Sequence, residues 1–187
     1  MPINKFLYFG DFAVIPVAVL AFAALAFASG GLGELAIFVA ALIVGGFVWT
    51  LVEYLIHRYA YHHAPVLSPL HDLHHRDPDA LIGVPSFVSS GLVIMICYVP
   101  IAPFAPVVAG GFTSGMLIGY AAYMLVHHAT HHWDIEPGDW LYRARVRHMG
   151  HHYRDNINFG VSTGIWDRIF GTERMPRERV APTQSPL

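Results

Sequence analysis

The sequence predicts an all-α integral membrane protein: four transmembrane helices in two hairpins, with a cytoplasmic helical cap holding a histidine-rich dimetal site. Three observations predict it. The chain of 187 residues is 55% hydrophobic and 13% charged, with mean hydropathy +0.45, whereas a soluble domain carries about 25% charged residues. Its apolar residues gather into four runs, separated by two short turns and one polar loop. Its 13 histidines fall into two blocks, 57–75 and 127–152, each following an apolar run. Neutral imidazole is the commonest metal ligand, so that placement asks for a chemical reason.

Residues 1–11 read as an interfacial start, with Lys5 and Asp11 among aromatics. The first span, 12–29, reaches with the preceding aromatic turn the roughly 20 residues a bilayer crossing needs. Pro16 falls early in it, where it can kink the helix. No cleavable leader is expected, and the segment reads as a retained anchor. SGGLGE makes a turn, and the second span runs over 35–56, with Gly45 and Gly46 suited to close helix contact. Pro65 and Pro69 then break the helix, a short helix carries His71 to Arg76, and Pro78 stops it. The third span, 83–99, is short, and its hairpin can dip rather than cross. PIAPFAP turns the chain into the fourth span, 107–126. The cap comprises 57–82 and 127–171, with helices lying at the membrane surface. A charged tail, 172–187, is expected to fray. The whole, 1–187, reads as a single domain.

Charge placement gives the orientation. Neither SGGLGE nor PIAPFAP carries a Lys or Arg, and all 11 basic residues lie in the N-terminus, the central loop or the region after the fourth span. Two hairpins put these, the histidines and both termini on one face, cytoplasmic by the positive-inside rule. A single cysteine, Cys97 in an apolar run, excludes a disulfide framework and thiolate metal sites. No nucleic-acid partner is expected, and the oligomeric state is open.

The histidines sort into four boxes: His57 and His62 with His63; His71, His74 and His75; His127 and His131 with His128 and His132; His148, His151 and His152. Spacings of i, i+3 and i, i+4 put imidazoles on one helical face. His57 and His62 are five apart, about 140° around an ideal helix, so they converge only if the helix distorts or ends between them. More imidazoles than one ion takes point to two ions with four or five nitrogens each. An all-nitrogen set suits iron, zinc, copper or nickel. Glu53, one turn before His57, can orient that imidazole through its ring N–H. Asp155, like Asp72, Asp77 and Asp134, can serve another ring, and His63, His128 and His132 can stand behind the ligands. Tyr61, Trp133 and Trp166 are candidates for a substrate slot, and Arg143, Arg145 and Arg147 for docking an acidic donor or lipid headgroups.

The boxes HRYAYHH, HDLHH, HHATHH and HMGHH, with the trailing NFGVSTGIWDRIFGT, resemble the fatty acid hydroxylase/sterol desaturase superfamily of membrane di-iron oxygenases. The resemblance covers about residues 50–171. The tail after the last box looks closest to the fatty acid 2-hydroxylase branch, and the small size is similar to that of bacterial β-carotene hydroxylases. The resemblance implies a four-helix membrane stalk beneath a cytoplasmic site for two iron ions, which zinc can replace in a purified protein. It also implies an O2-dependent monooxygenase that spends two electrons to hydroxylate an unactivated C–H of a fatty acyl chain or acyl lipid drawn from the bilayer. Carried onto this chain, the metal ligands are His57, His62, His71, His74, His75, His127, His131, His148, His151 and His152. Spacing leaves the third box open, since His128 and His132 are separated as His127 and His131 are; the family pattern around YMLVHHATHH selects the latter pair. Some family members carry a fused cytochrome b5 domain for which this sequence has no room. A separate donor of ferredoxin or cytochrome b5 type, with its reductase, is therefore expected.

Within the superfamily the alternatives are a carotenoid β-ring hydroxylase and a lipid desaturase. Outside it the alternative is a metal transporter. Transport needs ionisable residues along a path near the bilayer midplane, and the middles of the four apolar runs lack them.

Overall fold

The apolar stretch after Asp11 is interrupted at Gly30 and Gly31, and there the chain folds back. In the computed structural model, which describes residues 3–175, helix α1 (Lys5–Phe9) leads into α2 (Asp11–Leu55), whose backbone leaves helical values at those two residues. Gly31 takes φ +64°, a region that penalises any side chain bearing Cβ. Pro16 leaves the helical dihedrals intact, so the break falls at the glycines alone. Ile15 of the first limb and Trp49 of the second share one buried cluster, so the limbs lie side by side.

A π-helical segment (Ile56–Tyr61) prolongs the second limb, followed by α3 (Ser68–Arg76), α4 (Ser86–Cys97), α5 (Pro106–His132), α6 (Tyr142–Tyr153) and α7 (Ile165–Ile169). Among the described residues there is no strand. Pro69 does not break a helix: it occupies the first turn of α3, where its missing N–H has no partner to lose. The third box does not open a separate surface helix either, because α5 continues unbroken through His132.

α5 packs along both limbs of α2, and small residues make the approach possible. A Cβ on Gly45 would stand 2.2 Å from the Phe112 carbonyl oxygen, and one on Gly111 or Gly115 would strike the Phe38 or Leu42 carbonyl. The adjacent Gly46 also lies in the contact, its backbone nitrogen 2.6 Å from where a Cβ on Gly115 would stand. Cys97, Met116, Leu117 and Tyr120 complete the core with Ile15 and Trp49. The outward faces show Leu20, Leu25, Ile43, Phe47, Ile96 and Phe104, an apolar belt beyond what a soluble surface carries. Two helical stretches, 5–61 and 106–132, are long and apolar enough to cross a membrane. The protein is an all-helical membrane protein with its histidines gathered at one end. Of the tail expected to fray, 172–175 pack back onto the cap, Arg174 N–H donating to Asn158 Oδ1 at 2.6 Å; residues 176–187 lie outside the described part.

Candidate metal centre

Four elements bring the boxes together. The second limb of α2 ends in the π-helical segment, whose wider turn bonds residue i to i+5. His57 and His62 therefore share a face, their rings 5.6 Å apart and 16° from parallel. α3 supplies His71, His74 and His75, the last turns of α5 supply His127 and His131, and α6 supplies His148, His151 and His152.

Two groups result. His57, His62, His71 and His151 offer nitrogens all within 4.8 Å of one another, as do His74, His127, His131, His148 and His152. His75 stands between them, its Nε2 3.0 Å from that of His71 and its ring stacked on His152 at 4.3 Å. All ten predicted ligands thus meet in one cluster. His127 and His131 face it, whereas His128 and His132 stack on each other, with His128 against Tyr8 and Phe9. His63 lies beside His62 and His132 is exposed.

The rings meet nitrogen to nitrogen. His74 Nε2 is 3.0 Å from His127 Nε2 and 3.1 Å from His152 Nε2, while His148 Nε2 is 2.8 Å from His131 and 3.2 Å from His152. A neutral imidazole Nε2 offers one in-plane site, either a proton or a lone pair. It cannot donate to one neighbour and accept from another, so hydrogen bonds alone do not satisfy this chain of five. A shared cation does. Ligands about 2.0–2.1 Å from one ion stand roughly 2.9–3.4 Å apart, the range seen here and in the other group, where His57–His71 is 3.2 Å and His62–His151 is 3.3 Å. The cluster can hold metal ions.

Protonation is arranged accordingly. Burial, and then the fields of neighbouring imidazoles, holds His74 and His152 down to about 3. His151 is likewise pushed by burial to about 3. The rings are neutral at physiological pH, as ligands must be.

The tail motif NFGVSTGIWD fixes two rings from behind. His57 Nδ1 lies 2.5 Å from the Phe159 carbonyl and His151 Nδ1 2.8 Å from the Ile157 carbonyl. Donation there leaves each Nε2 lone pair for the cluster. Between those carbonyls sits Asn158 at φ +56°, a left-handed conformation that asparagine tolerates best among residues with Cβ. The same turn is clamped by two buried carboxylates. Asp167 accepts from the Phe159 and Gly160 N–H groups at 2.8 Å, and Glu53 Oε1 accepts from Val161 and Ser162 N–H at 2.8 Å, with the Ser162 hydroxyl on Oε2. Arg147 donates to the Gly160 and Val161 carbonyls at 2.6 and 2.9 Å. A Cβ on Gly160 would meet the Thr163 oxygen at 2.0 Å.

Several expected placements change. Glu53 does not touch the His57 ring; it acts on it at one remove, through the turn bearing Phe159. Asp155 is exposed at the polar mouth beside His75 and His152 and bonds no imidazole among the described residues. The basic run splits by helical position: Arg147 is buried, Arg145 donates to the Trp133 carbonyl at 2.7 Å, and only Arg143 of the three is exposed.

On the apolar side of the cluster lies a cavity of about 120 Å³, reached by His57, His71, His74 and His127. Tyr61 lines it, as predicted, with Tyr120, Tyr123, Met124, Ile82 and Val84. Trp133 and Trp166 do not. Trp133 follows the end of α5 and is 46% exposed. Trp166 gives its indole N–H to Thr50 Oγ1 at 2.9 Å and packs on Phe47, on the outer side of α2. The wall residues sequence reasoning passed over carried a signal: Tyr120, Tyr123, Met124 and His127 are a stripe at i, i+3, i+4 and i+7.

Comparison with known proteins agrees. The profile of the fatty acid hydroxylase family matches residues 42–172. Fatty acid 2-hydroxylase of Rattus norvegicus is 33% identical over 150 residues, 73% of this chain and 40% of that protein. Ceramide very long chain fatty acid hydroxylase of Schizosaccharomyces pombe is 33% identical over 151 residues, 70% of this chain and 41% of that one. The chain thus spans about two fifths of these relatives' length. The structure of full-length scs7p, in which only the hydroxylase domain is visible, superposes with TM-score 0.77 at 23% identity, over 93% of this chain and 71% of that one. At that identity the likeness is one of fold.

Proposed function

The chain belongs to the fatty acid hydroxylase family, and from that premise we propose that it is a membrane lipid hydroxylase, an oxidoreductase using O2 and two electrons to place a hydroxyl on an unactivated C–H of an acyl chain. One observation carries the reading: imidazole nitrogens converge pairwise at 2.8–3.3 Å directly above an apolar cavity. The ten histidines of the cluster would hold two irons, and these supply the O2 activation that side chains alone do not. Relatives named for fatty acid, ceramide and dihydroceramide hydroxylation point to the acyl group of such a lipid as substrate.

The chain's own residues do the rest. The Phe159 and Ile157 carbonyls orient His57 and His151. Leu67, Leu70, Ile82, Val84 and Met124 hold the acyl chain by apolar contact and keep water away. Tyr61, between the paired histidines of the π-helical segment, closes the metal end. The mouth formed by His75, His152, Tyr153 and Asp155 faces the polar side, where a protein donor delivers electrons.

In this reading the chain forms two membrane hairpins with the cluster cytoplasmic, and the second dips rather than crosses on the side of α4, which has only 12 residues. The distribution of Lys and Arg favours it, as does the return at Gly31. Labelling cysteines introduced at Leu32 and Asp72 from either side of a sealed vesicle checks it: opposite sidedness is expected, and equal labelling overturns the topology. The function is tested on protein purified from iron-replete cells. Two irons per chain, and gain of one oxygen atom by an acyl lipid in the presence of a reductant, are expected. Readily exchanged zinc with no O2 consumption would falsify the proposal.

A further inference from the structure

The structure holds an ionisable group that the metal centre does not use. Asp11, on the first turn of α2, is 0% exposed and neither carboxylate oxygen has a hydrogen-bond partner among the described residues. It lies outside the 42–172 match to the family. An unsatisfied carboxyl buried within a protein is costly, and a buried group of this kind beside a cavity is a candidate site. Ser90 of α4 and Tyr120 of α5 approach Asp11 without completing a hydrogen bond to it in this structure. Tyr120 in turn faces Ser89, and Tyr120, Ser86 and Ser89 line the cavity that ends at His57, His71, His74 and His127.

The distances along the helix set the scale. Tyr120 precedes His127 by seven residues on an unbroken α5, about 10 Å along the axis. Between them the cavity wall is Tyr123 and Met124, faced by Leu70, Ile82 and Val84. One end of the cavity is therefore metal-binding, the middle is largely apolar, and the far end is polar. If the Tyr120 O–H is given to Asp11, the phenol oxygen keeps lone pairs toward the cavity while the Ser89 hydroxyl remains a donor. A group that both donates and accepts fits that pair. An alcohol does so; an ether or ester oxygen only accepts, and an amide N–H only donates.

We propose that Tyr120 and Ser89, with Asp11 as the residue that positions Tyr120, form a subsite for a hydroxyl of the lipid substrate, about 10 Å from the metal end of the cavity. The subsite selects lipids bearing an alcohol several bonds from the carbon oxidised and sets which carbon lies at the metals. The inference rests on the hydroxylase reading for its substrate, but its test separates the two.

Iron-loaded protein in lipid nanodiscs is titrated with an N-acyl amino-alcohol lipid and with the same lipid O-methylated at its hydroxyl. Wild type is expected to bind the alcohol about tenfold more tightly, the loss of one satisfied buried hydrogen bond. Tyr120→Phe should bring the two affinities together by weakening the alcohol only, with iron content unchanged. Asp11→Leu should do the same, and Asp11→Asn, which keeps an acceptor oxygen, should restore part of the preference. Equal wild-type affinities overturn the subsite, as does a Tyr120→Phe variant that still discriminates or that weakens both lipids alike. Should the variants not fold, the wild-type comparison decides alone. Discrimination in binding without oxygen insertion sinks the hydroxylase reading and leaves the subsite; insertion without discrimination does the reverse.

Discussion

The two histidine groups share α3 and α6 yet are built in different ways. The five-histidine group takes its α5 pair, His127 and His131, at i, i+4, which an ordinary α-helix aligns without adjustment. The four-histidine group takes His57 and His62 at i, i+5 and needs a π-helical turn to align them. The support behind the rings differs too. His57 and His151 of the four-histidine group donate Nδ1–H to carbonyls of the tail turn, whereas His148 Nδ1, in the other group, is buried without a partner among the described residues. One group is positioned by regular helix geometry. The other is positioned by a distorted helix and a turn from over 100 residues away. The second arrangement should therefore be the more sensitive to changes outside the ligands.

The largest expected effect is at the ligands themselves. His151→Ala and His148→Ala remove fully buried rings, and each should abolish its group's metal and lower turnover more than about a hundredfold, beyond the 10–100-fold typical of groups one step behind a ligand. Metal analysis of the purified variants checks this; retention of both irons and of activity by His151→Ala overturns the assignment. Changing the length of the π-helical segment comes next. An alanine inserted after Tyr59 should cost the four-histidine metal and spare the other, leaving one ion per chain. Deleting Tyr59 makes the spacing i, i+4, so an α-helix can align the pair and two ions should remain.

Asn158→Val forces a β-branched side chain into positive φ, costing about 1–3 kcal/mol, and disturbs both carbonyls that orient His57 and His151. Metal affinity of the four-histidine group should fall roughly 10–100-fold, read by competition with a chelator, while the five-histidine group holds. Glu53→Gln weakens charged hydrogen bonds to the same turn and should lower stability by about 1–3 kcal/mol, seen as a lower Tm with both ions still bound. His128→Ala, on the face turned from the cluster, should change metal content not at all and stability by about 0.5 kcal/mol or less. A large loss of metal there would erase the distinction between the two faces of α5.

Much of this was legible in the chain. Box spacing marked the histidine clusters and apolar run length the helices that carry them, because both follow from the period of a helix; the family pattern was needed to choose His127 and His131 within the third box. The i, i+5 step of His57 and His62 required the helix to distort or to end between them, and the structure takes the first course with a π-helical segment. What the spacing could not show was how distant segments meet. Glu53 lies one turn from His57, which suggests direct contact, but the stronger claim on its oxygens comes from the N–H groups of Val161 and Ser162. Trp133 and Trp166 adjoin the boxes in sequence and yet point away from the cavity, since a helix end and an outward-facing hydroxyl hold them. The roles of Asn158, Asp167 and Arg147 were hidden because each acts on backbone groups, which leave no pattern in composition or spacing.

The amino-acid sequence by itself determined that this is a helical membrane protein with boxes of histidine suited to metal at one end. Hydropathy, charge placement and residue spacing are local properties, fixed by the chain wherever it lies. Only the tertiary structure decided which nitrogens lie together, which carbonyls turn the rings and where the apolar cavity meets them. Those depend on the approach of α5 to α2 over Gly45, Gly111 and Gly115, and on the tail turn folding back to Glu53. Contacts between segments far apart in the chain arise from packing, and packing is a property of the folded whole.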